Sequence, residues 1–112
     1  MAKKTARYAL TGQGLELLAA RFRVLGEPMR LKLLIALAKG EKNVTELAQL
    51  AEATQANVSK HLGILTDAGM VSRRKEGLKT FCGISDSQIF KLCDLMCSKL
   101  QKEFREKSSH FR

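Results

Sequence analysis

The sequence predicts a mainly α-helical domain that carries one β-hairpin, an α+β fold. Three observations lead to this prediction. Apolar residues recur with helical spacing in five segments, a Glu-Gly pair divides two short strand-like runs, and no internal repeat or low-complexity tract interrupts this order. At 112 residues the chain has the length of a single domain. We expect that domain to cover residues 12–107, between a mobile basic arm at 1–11 and a tail at 108–112.

The first two helices are predicted on either side of a glycine. Apolar side chains share one face of the first helix at Leu15, Leu18, Phe22 and Leu25. Gly26 ends that helix, and Pro28 suits the first position of the next, where its missing N–H costs nothing. The second helix is expected to end at Gly40 and to lie in the core. Its predicted apolar stripe consists of Leu31, Leu34, Ile35 and Ala38.

Two threonines, Thr45 and Thr54, stand where the N-caps of the third and fourth helices are expected. The predicted turn between these helices covers residues 51–53, so the pair forms a helix-turn-helix. Inward-facing positions are predicted at Leu47, Leu50, Val58, Leu62 and Leu65. Gly63 lies inside the fourth helix, where glycine costs about 1 kcal/mol relative to alanine. Either stability is supplied elsewhere, or a close approach to Gly63 matters.

A hairpin and a fifth helix complete the predicted winged helix-turn-helix. The strands are expected at 70–75 and 78–84, joined around Glu76 and Gly77. Asp86 opens the last helix, whose apolar band is too long for so small a core to cover. We therefore expect helices 1 and 5 to form a dimer interface. Its predicted members are Leu15, Leu18, Phe22, Ile89, Leu92, Met96 and Leu100.

The charge balance indicates a polyanionic partner. The formal net charge is +9, which attracts nucleic acids and anionic surfaces. No apolar run approaches the roughly 20 residues needed to cross a bilayer, and the first residues lack the apolar run of a secretory signal. The expected partner is therefore nucleic acid, and the expected location is the cytoplasm.

The fourth helix, the predicted recognition helix, presents polar side chains opposite its apolar face. These are Gln55, Asn57, Ser59 and Lys60, with His61 at the boundary. The DNA major groove admits an α-helix, and Gln or Asn can pair with adenine through two hydrogen bonds. An ordinary solvated helix face is the alternative, and the adjacent basic hairpin favours DNA. Two interpretations of His61 are open: a residue at the edge of the apolar face whose imidazole hydrogen-bonds to the backbone, or a DNA contact.

The hairpin concentrates positive charge beside the recognition helix. Its cations are Arg73, Arg74, Lys75 and Lys79. They are suited to neutralise backbone phosphates without carrying much sequence information. A charge run is usually a solvated face, but this one follows the recognition helix directly and shares its sign of charge.

Several stretches together resemble the ArsR/SmtB-type bacterial repressors, over about residues 15–105. They are Leu25-Gly-Glu-Pro-Met-Arg-Leu-Lys-Leu-Leu, Val44-Thr-Glu-Leu-Ala, Gln55-Ala-Asn-Val-Ser-Lys-His-Leu and Ala68-Gly-Met-Val. The resemblance implies a homodimeric winged-helix repressor that leaves its DNA operator when an effector binds. It also implies that the hairpin is the wing. The residues it places against DNA are Thr54, Gln55, Asn57, Ser59 and His61.

The best-known sensing sites of that family are missing from this sequence. Where thiolate-type members have a Cys-Val-Cys-Asp-Leu run, this chain has Asn43-Val-Thr-Glu-Leu47, which lacks both soft ligands. Of the zinc-type site on the last helix, this chain keeps only Asp86. The other ligand positions hold Gln88, Lys99 and Lys102. A protonated lysine cannot ligate a metal. Neither site is expected here.

Three cysteines in a chain without an export signal predict free thiols. Cys93 and Cys97 are one helical turn apart, with Cβ atoms expected about 5 to 6 Å from each other, too far for a disulfide. They could hold a soft metal or metalloid ion if a partner subunit supplied a third ligand. The alternative is that both are small core or interface residues, and Cys82 is expected in the core. No other cofactor is predicted.

Together these features predict a homodimeric, sequence-specific DNA-binding transcriptional regulator. The leading interpretation is a repressor released from its operator by an effector that is a metal, a metalloid or a thiol-reactive compound. An effector-independent repressor and a winged-helix module that binds an acidic protein are the alternatives. Catalysis is not expected, because the chain has two histidines and no spaced set of nucleophile, base and orienting group.

Overall fold

The computed structural model describes residues 10–105, which form five helices and one three-stranded antiparallel sheet. The elements are α1 Gly12–Leu25, α2 Pro28–Leu37, β1 Lys42–Asn43, α3 Val44–Ala51, α4 Gln55–Asp67, β2 Val71–Glu76, β3 Lys79–Ile84 and α5 Gln88–Phe104. The predicted order of helices and hairpin is confirmed. Strand β1 was not predicted, because two residues are too few to show an alternating pattern. Most of the predicted arm and the whole predicted tail lie outside the described residues.

The sheet has the order β1-β3-β2, so the hairpin strands pair with each other and β1 covers the free edge of β3. Glu76 pairs with Lys79, which leaves a two-residue turn at Gly77 and Leu78. Gly77 has φ 64°, a conformation that glycine adopts without steric cost and that suits the first position of a II′ turn. The tip of the wing is therefore tight and fixed in register.

The core lies between α2, α3, α4 and the sheet. Its most completely buried side chains are Leu33, Leu34, Leu47, Val58, Leu62, Leu65, Val71 and Cys82. The predicted inward positions on α4 are confirmed, whereas Ile35 and Leu50 are 67% and 57% exposed. At about 100° per residue, Ile35 is rotated some 200° from Leu33 and Leu37, the residues that define the buried face of α2.

The helix starts are set by side-chain caps. Thr54 caps α4 as predicted, its hydroxyl accepting from the Asn57 N–H at 3.1 Å. Thr45 does not cap α3. Asn43 does, accepting from the Glu46 N–H at 2.8 Å, while Glu46 accepts from the Asn43 N–H at 2.9 Å. This reciprocal capping box satisfies two backbone N–H donors, whereas a lone threonine cap would satisfy one.

No helix within residues 10–105 is both long and apolar enough to cross a bilayer.

The turn between α3 and α4 contains the one described non-glycine residue with positive φ. Glu52 ends α3 with φ 54° and ψ 49°, in the left-handed region where a side chain is strained. Its N–H bonds back to Ala48 and Gln49, so the strained residue closes the helix and redirects the chain towards α4.

Glu52→Gly is expected to raise the free energy of unfolding by roughly 1 kcal/mol, because glycine removes the strain of a left-handed residue. Thermal or urea unfolding measures the change. Gln49→Gly is the matched control: it lies exposed within the right-handed part of α3 and is expected to lower stability by about 1 kcal/mol. Equal destabilisation by both glycines would show that Glu52 carries no strain.

Candidate nucleic-acid interface

The outer face of α4 is polar and open to solvent, as predicted. The exposed side chains at its N-terminal end are Thr54, Gln55, Asn57, Ser59 and Lys60. On the opposite face Val58, Leu62 and Leu65 are completely buried. The helix is therefore held by one side and presents hydrogen-bonding groups on the other, in the arrangement that a helix needs to enter a major groove.

The polar residues of this face differ in how they are held. The Gln55 side chain donates to the Thr45 hydroxyl at 3.3 Å, and the Thr54 hydroxyl serves as the helix cap. Asn57 makes no side-chain hydrogen bond with the described part of the chain. Its amide therefore keeps two donors and an acceptor for a base edge.

His61 lies on the buried side of α4 and not on its outer face. It is 8% exposed, and its Nδ1 is 3.2 Å from Nη1 of Arg30. Because a guanidinium has no acceptor, the imidazole must accept here, which places the imidazole proton on Nε2. This burial favours the boundary-histidine interpretation of His61 over a DNA contact, although its partner is the Arg30 side chain and not the backbone. Its spacing of three after Val58 and four before Leu65 is the inward helical spacing, a signal that could have indicated this position.

Two arginines tie the recognition helix to α1. Arg30 bridges His61 and the end of α1, donating to the Val24 carbonyl at 2.7 Å. Arg21 of α1 donates to the Ala68 carbonyl at 2.7 Å, just past the end of α4. Sequence reasoning missed both, since contacts between elements that lie 31 and 47 residues apart leave no periodic trace.

The three wing cations of β2 lie on its two opposite faces, and Lys79 lies on β3. Side chains alternate along a strand, so Arg73 and Lys75 share one face while Arg74 takes the other. All four predicted wing cations, Arg73, Arg74, Lys75 and Lys79, are exposed. Within residues 10–105, Arg74 is the member of this set that forms an ion pair.

Arg74 is held in a clasp formed with Glu41 and Glu76. Its Nη2 and Nε lie 2.8 and 3.1 Å from Glu41 Oε1, its Nη1 is 2.8 Å from Glu76 Oε1, and its guanidinium lies 4.8 Å from the centre of the Phe81 ring. The hydrogen bonds that Arg74 donates to Glu41, and then to Glu76, raise the pKa of Arg74. Arg74 thus shares its guanidinium with two carboxylates of the wing, and its predicted phosphate contact would have to compete with them.

The clasp responds to pH through Glu41. The hydrogen bond from Arg74 lowers the pKa of this carboxyl, and partial desolvation opposes that effect. A group whose pKa is lowered by folding contributes stability above its unfolded pKa and loses it as the pH falls through the folded value. The clasp is therefore complete at neutral pH and opens in acid.

Helices α1 and α5 leave a broad apolar surface uncovered. Leu15, Leu18, Phe22, Leu92 and Met96 are 55%, 45%, 51%, 41% and 61% exposed. Of the other predicted interface residues, Leu100 is half-buried, and Ile89 is half-buried against the core. An apolar groove of about 460 Å³ runs beside them, lined by Phe22, Ile35, Phe90, Met96 and other residues. Apolar surface of this extent marks a protein interface.

The cysteines occupy three different environments. Cys82 is buried as predicted, Cys93 is half-buried in the apolar groove, and Cys97 is exposed. Burial raises the pKa of the Cys93 thiol, and the nearby Asp94 and Cys97 raise it further. Within the described part of the chain, no three His, Cys, Asp or Glu side chains are placed to hold a metal ion together.

Comparison with known proteins agrees with this geometry. Residues 27–73 match the family model of the bacterial regulatory proteins of the arsR family. A probable mercury resistance operon repressor of Streptomyces lividans is 40% identical over 68 residues, which are 61% of this chain and 54% of that protein. An uncharacterized HTH-type transcriptional regulator of Methanocaldococcus jannaschii is 36% identical over 67% of this chain and 85% of that protein. The chain thus spans about half the length of the first relative and most of the second.

A solved structure shares the whole architecture. The homodimeric winged helix-turn-helix DNA-binding domain from Mycobacterium bovis, a possible ArsR-family transcriptional regulator, has a TM-score of 0.73 to this chain. It is 25% identical, and the match covers 96% of this chain and 99% of that domain. The predicted winged helix-turn-helix is therefore confirmed.

Arg74→Gln is expected to loosen the wing, because both carboxylates lose their partner. Amide hydrogen exchange in β1, β2 and β3 should accelerate, while the global free energy of unfolding should change little, since the ion pair is half-exposed. Lys75→Gln, on the other face of the same strand, is the matched control and should leave exchange unchanged. Wing amides equally protected in both variants and in the parent would contradict the clasp.

Proposed function

Because the chain belongs to the ArsR family of bacterial DNA-binding repressors, we propose that it works in the cytoplasm as a homodimer that binds a DNA operator and is released by an effector. Members of this family are not enzymes. The observation that carries the proposal is the exposed polar face of α4, backed by a completely buried face and followed at once by a cationic wing.

The proposed dimer predicts the symmetry and the half-site spacing of the operator. The apolar surface of α1 and α5 is self-complementary in character, and the M. bovis domain of the same fold is homodimeric. A two-fold dimer presents two recognition helices, and these fit inverted half-sites one helical turn of DNA apart. The same dimer removes from water the leucines and methionine that the monomer exposes.

Sequence readout is assigned to the free amide groups of α4. Asn57 and Gln55 are suited to pair with adenine in the major groove, each at roughly 1 to 3 kcal/mol of discrimination. Asn57 is the stronger candidate, because Gln55 must first leave or share its bond to Thr45. Lys60, Lys75 and Lys79 supply phosphate contacts that fix position without selecting sequence.

Release is assigned to the thiols of α5. Cys93 faces the apolar groove that the dimer proposal covers, and Cys97 lies one turn further along the same helix. A metal, metalloid or oxidant that reacts there would place charge or bulk in the subunit interface, and a third ligand would have to come from the partner subunit. The raised pKa of Cys93 means that this reaction displaces a proton and is favoured by higher pH.

Asn57→Ala is expected to reduce the preference for the operator over a single-base variant by roughly 1 to 3 kcal/mol, about 5-fold to 150-fold, with non-specific affinity unchanged. Fluorescence titration of the protein's own promoter DNA at several salt concentrations measures both quantities. Gln88→Ala removes an exposed amide from α5 and is the control. A log affinity that does not fall with log salt would contradict DNA binding and would favour an acidic protein partner.

The double variant Cys93→Ser, Cys97→Ser is expected to bind operator DNA as the parent does, because neither thiol touches the DNA-facing surface. It should no longer be released by arsenite, cadmium or thiol oxidants, whereas the parent should be. Cys82→Ser serves as the control for a buried thiol. Release that is unchanged in the double variant would remove the thiols from the proposal and favour an effector-independent repressor.

A further inference from the structure

Arg73 is the wing cation that touches the recognition helix. Its Nη2 donates to the Ser59 carbonyl at 3.4 Å. A Cβ atom built on Gly63 would lie 3.6 Å from the same nitrogen, the one neighbouring atom within 4 Å. The guanidinium thus lies against the backbone of α4 at Gly63, one turn beyond Ser59, and connects the wing to the helix.

Most of the hydrogen-bonding capacity of Arg73 is unused. A guanidinium has five N–H donors, and within residues 10–105 the bond to Ser59 is the one that this side chain makes. The adjacent Arg74 is different, since two carboxylates hold it on the other face of the strand. The Arg73 guanidinium is positioned by its bond to Ser59 and forms no ion pair within the described residues. A guanidinium of this kind can bind two phosphate oxygens at once.

The position of this guanidinium suits the DNA backbone. With α4 in the major groove and the wing beside it, the strand of DNA that separates the two elements passes their junction. Lys60 follows Ser59 on the helix, and Lys75 shares the face of Arg73 on β2, so the junction is cationic from both sides. Both lysines are exposed.

We propose that Arg73 is a DNA-phosphate contact seated on α4 by Gly63 and by the Ser59 carbonyl. This inference rests on the proposed DNA binding and adds to it a residue that holds the contact without touching DNA. It also accounts for a glycine inside a helix, where alanine would be more stable by about 1 kcal/mol. A side chain longer than alanine at position 63 would occupy the place of the guanidinium.

Four variants test the seat: Arg73→Gln, Gly63→Ala, Gly63→Leu and the double variant Arg73→Gln, Gly63→Leu. Arg73→Gln should weaken binding to promoter DNA and to an unrelated duplex by the same factor. It should also reduce the slope of log affinity against log salt by about 0.9, the value for one lost phosphate contact. Gly63→Ala should raise the melting temperature and leave affinity within about twofold, because its methyl group fits at ordinary contact distance.

Gly63→Leu should reproduce the loss caused by Arg73→Gln, and the double variant should be no weaker than either single variant. Melting temperatures of all four proteins check that each is folded. A further loss in the double variant would mean that leucine meets the DNA itself, which overturns the seat. An unchanged salt slope in Arg73→Gln, with the parent binding normally, overturns the contact. A parent that binds neither duplex would instead overturn the proposed function.

Discussion

Burial of one side of α4 fixes which residues the other side can present. Val58, Leu62 and Leu65 are withdrawn from water, and each such side chain contributes about 1.5 to 3 kcal/mol when fully buried. Turning the helix by one residue, about 100°, would expose part of this set and hide the polar one. Rotation of α4 about its own axis is thus too costly to serve as a regulatory movement, and any change must displace the helix as a unit.

Such a displacement can come from α1. Arg21 holds the carbonyl of Ala68 at the end of α4, and Arg30 connects His61 in its middle to the end of α1. Leu15, Leu18 and Phe22 of α1 belong to the apolar surface proposed for dimerisation. The proposed subunit interface and the proposed DNA-facing helix therefore both contact α1, and in such a dimer the angle between the subunits would set the spacing of their recognition helices.

The elements whose apolar residues recur at regular spacing were predicted from the sequence. Five helices, the hairpin and the buried side of α4 follow from periodic apolar residues, and the polar face of α4 follows as their complement. The errors concern the edges of apolar stripes, such as Ile35 and Leu50, the two-residue strand β1, and single contacts. The N-cap of α3 was predicted at Thr45 and lies at Asn43, because both residue types are good caps and only the hydrogen bonds decide between them. The pairing of Arg74 with Glu41 was also not predicted, because the two residues are 33 positions apart and charge in a sequence does not show its partners.

The alternation along β2 separates two adjacent arginines by function. A single residue inserted or deleted between Met70 and Arg73 would shift the strand by one position against β3, and the two arginines would exchange faces. Arg74 would then lie on the face proposed to meet DNA, and Arg73 would lie on the face of Glu41. Evolution can therefore lengthen or rebuild the tip around Gly77 with little consequence for these roles, whereas the short run that enters the strand cannot change in length.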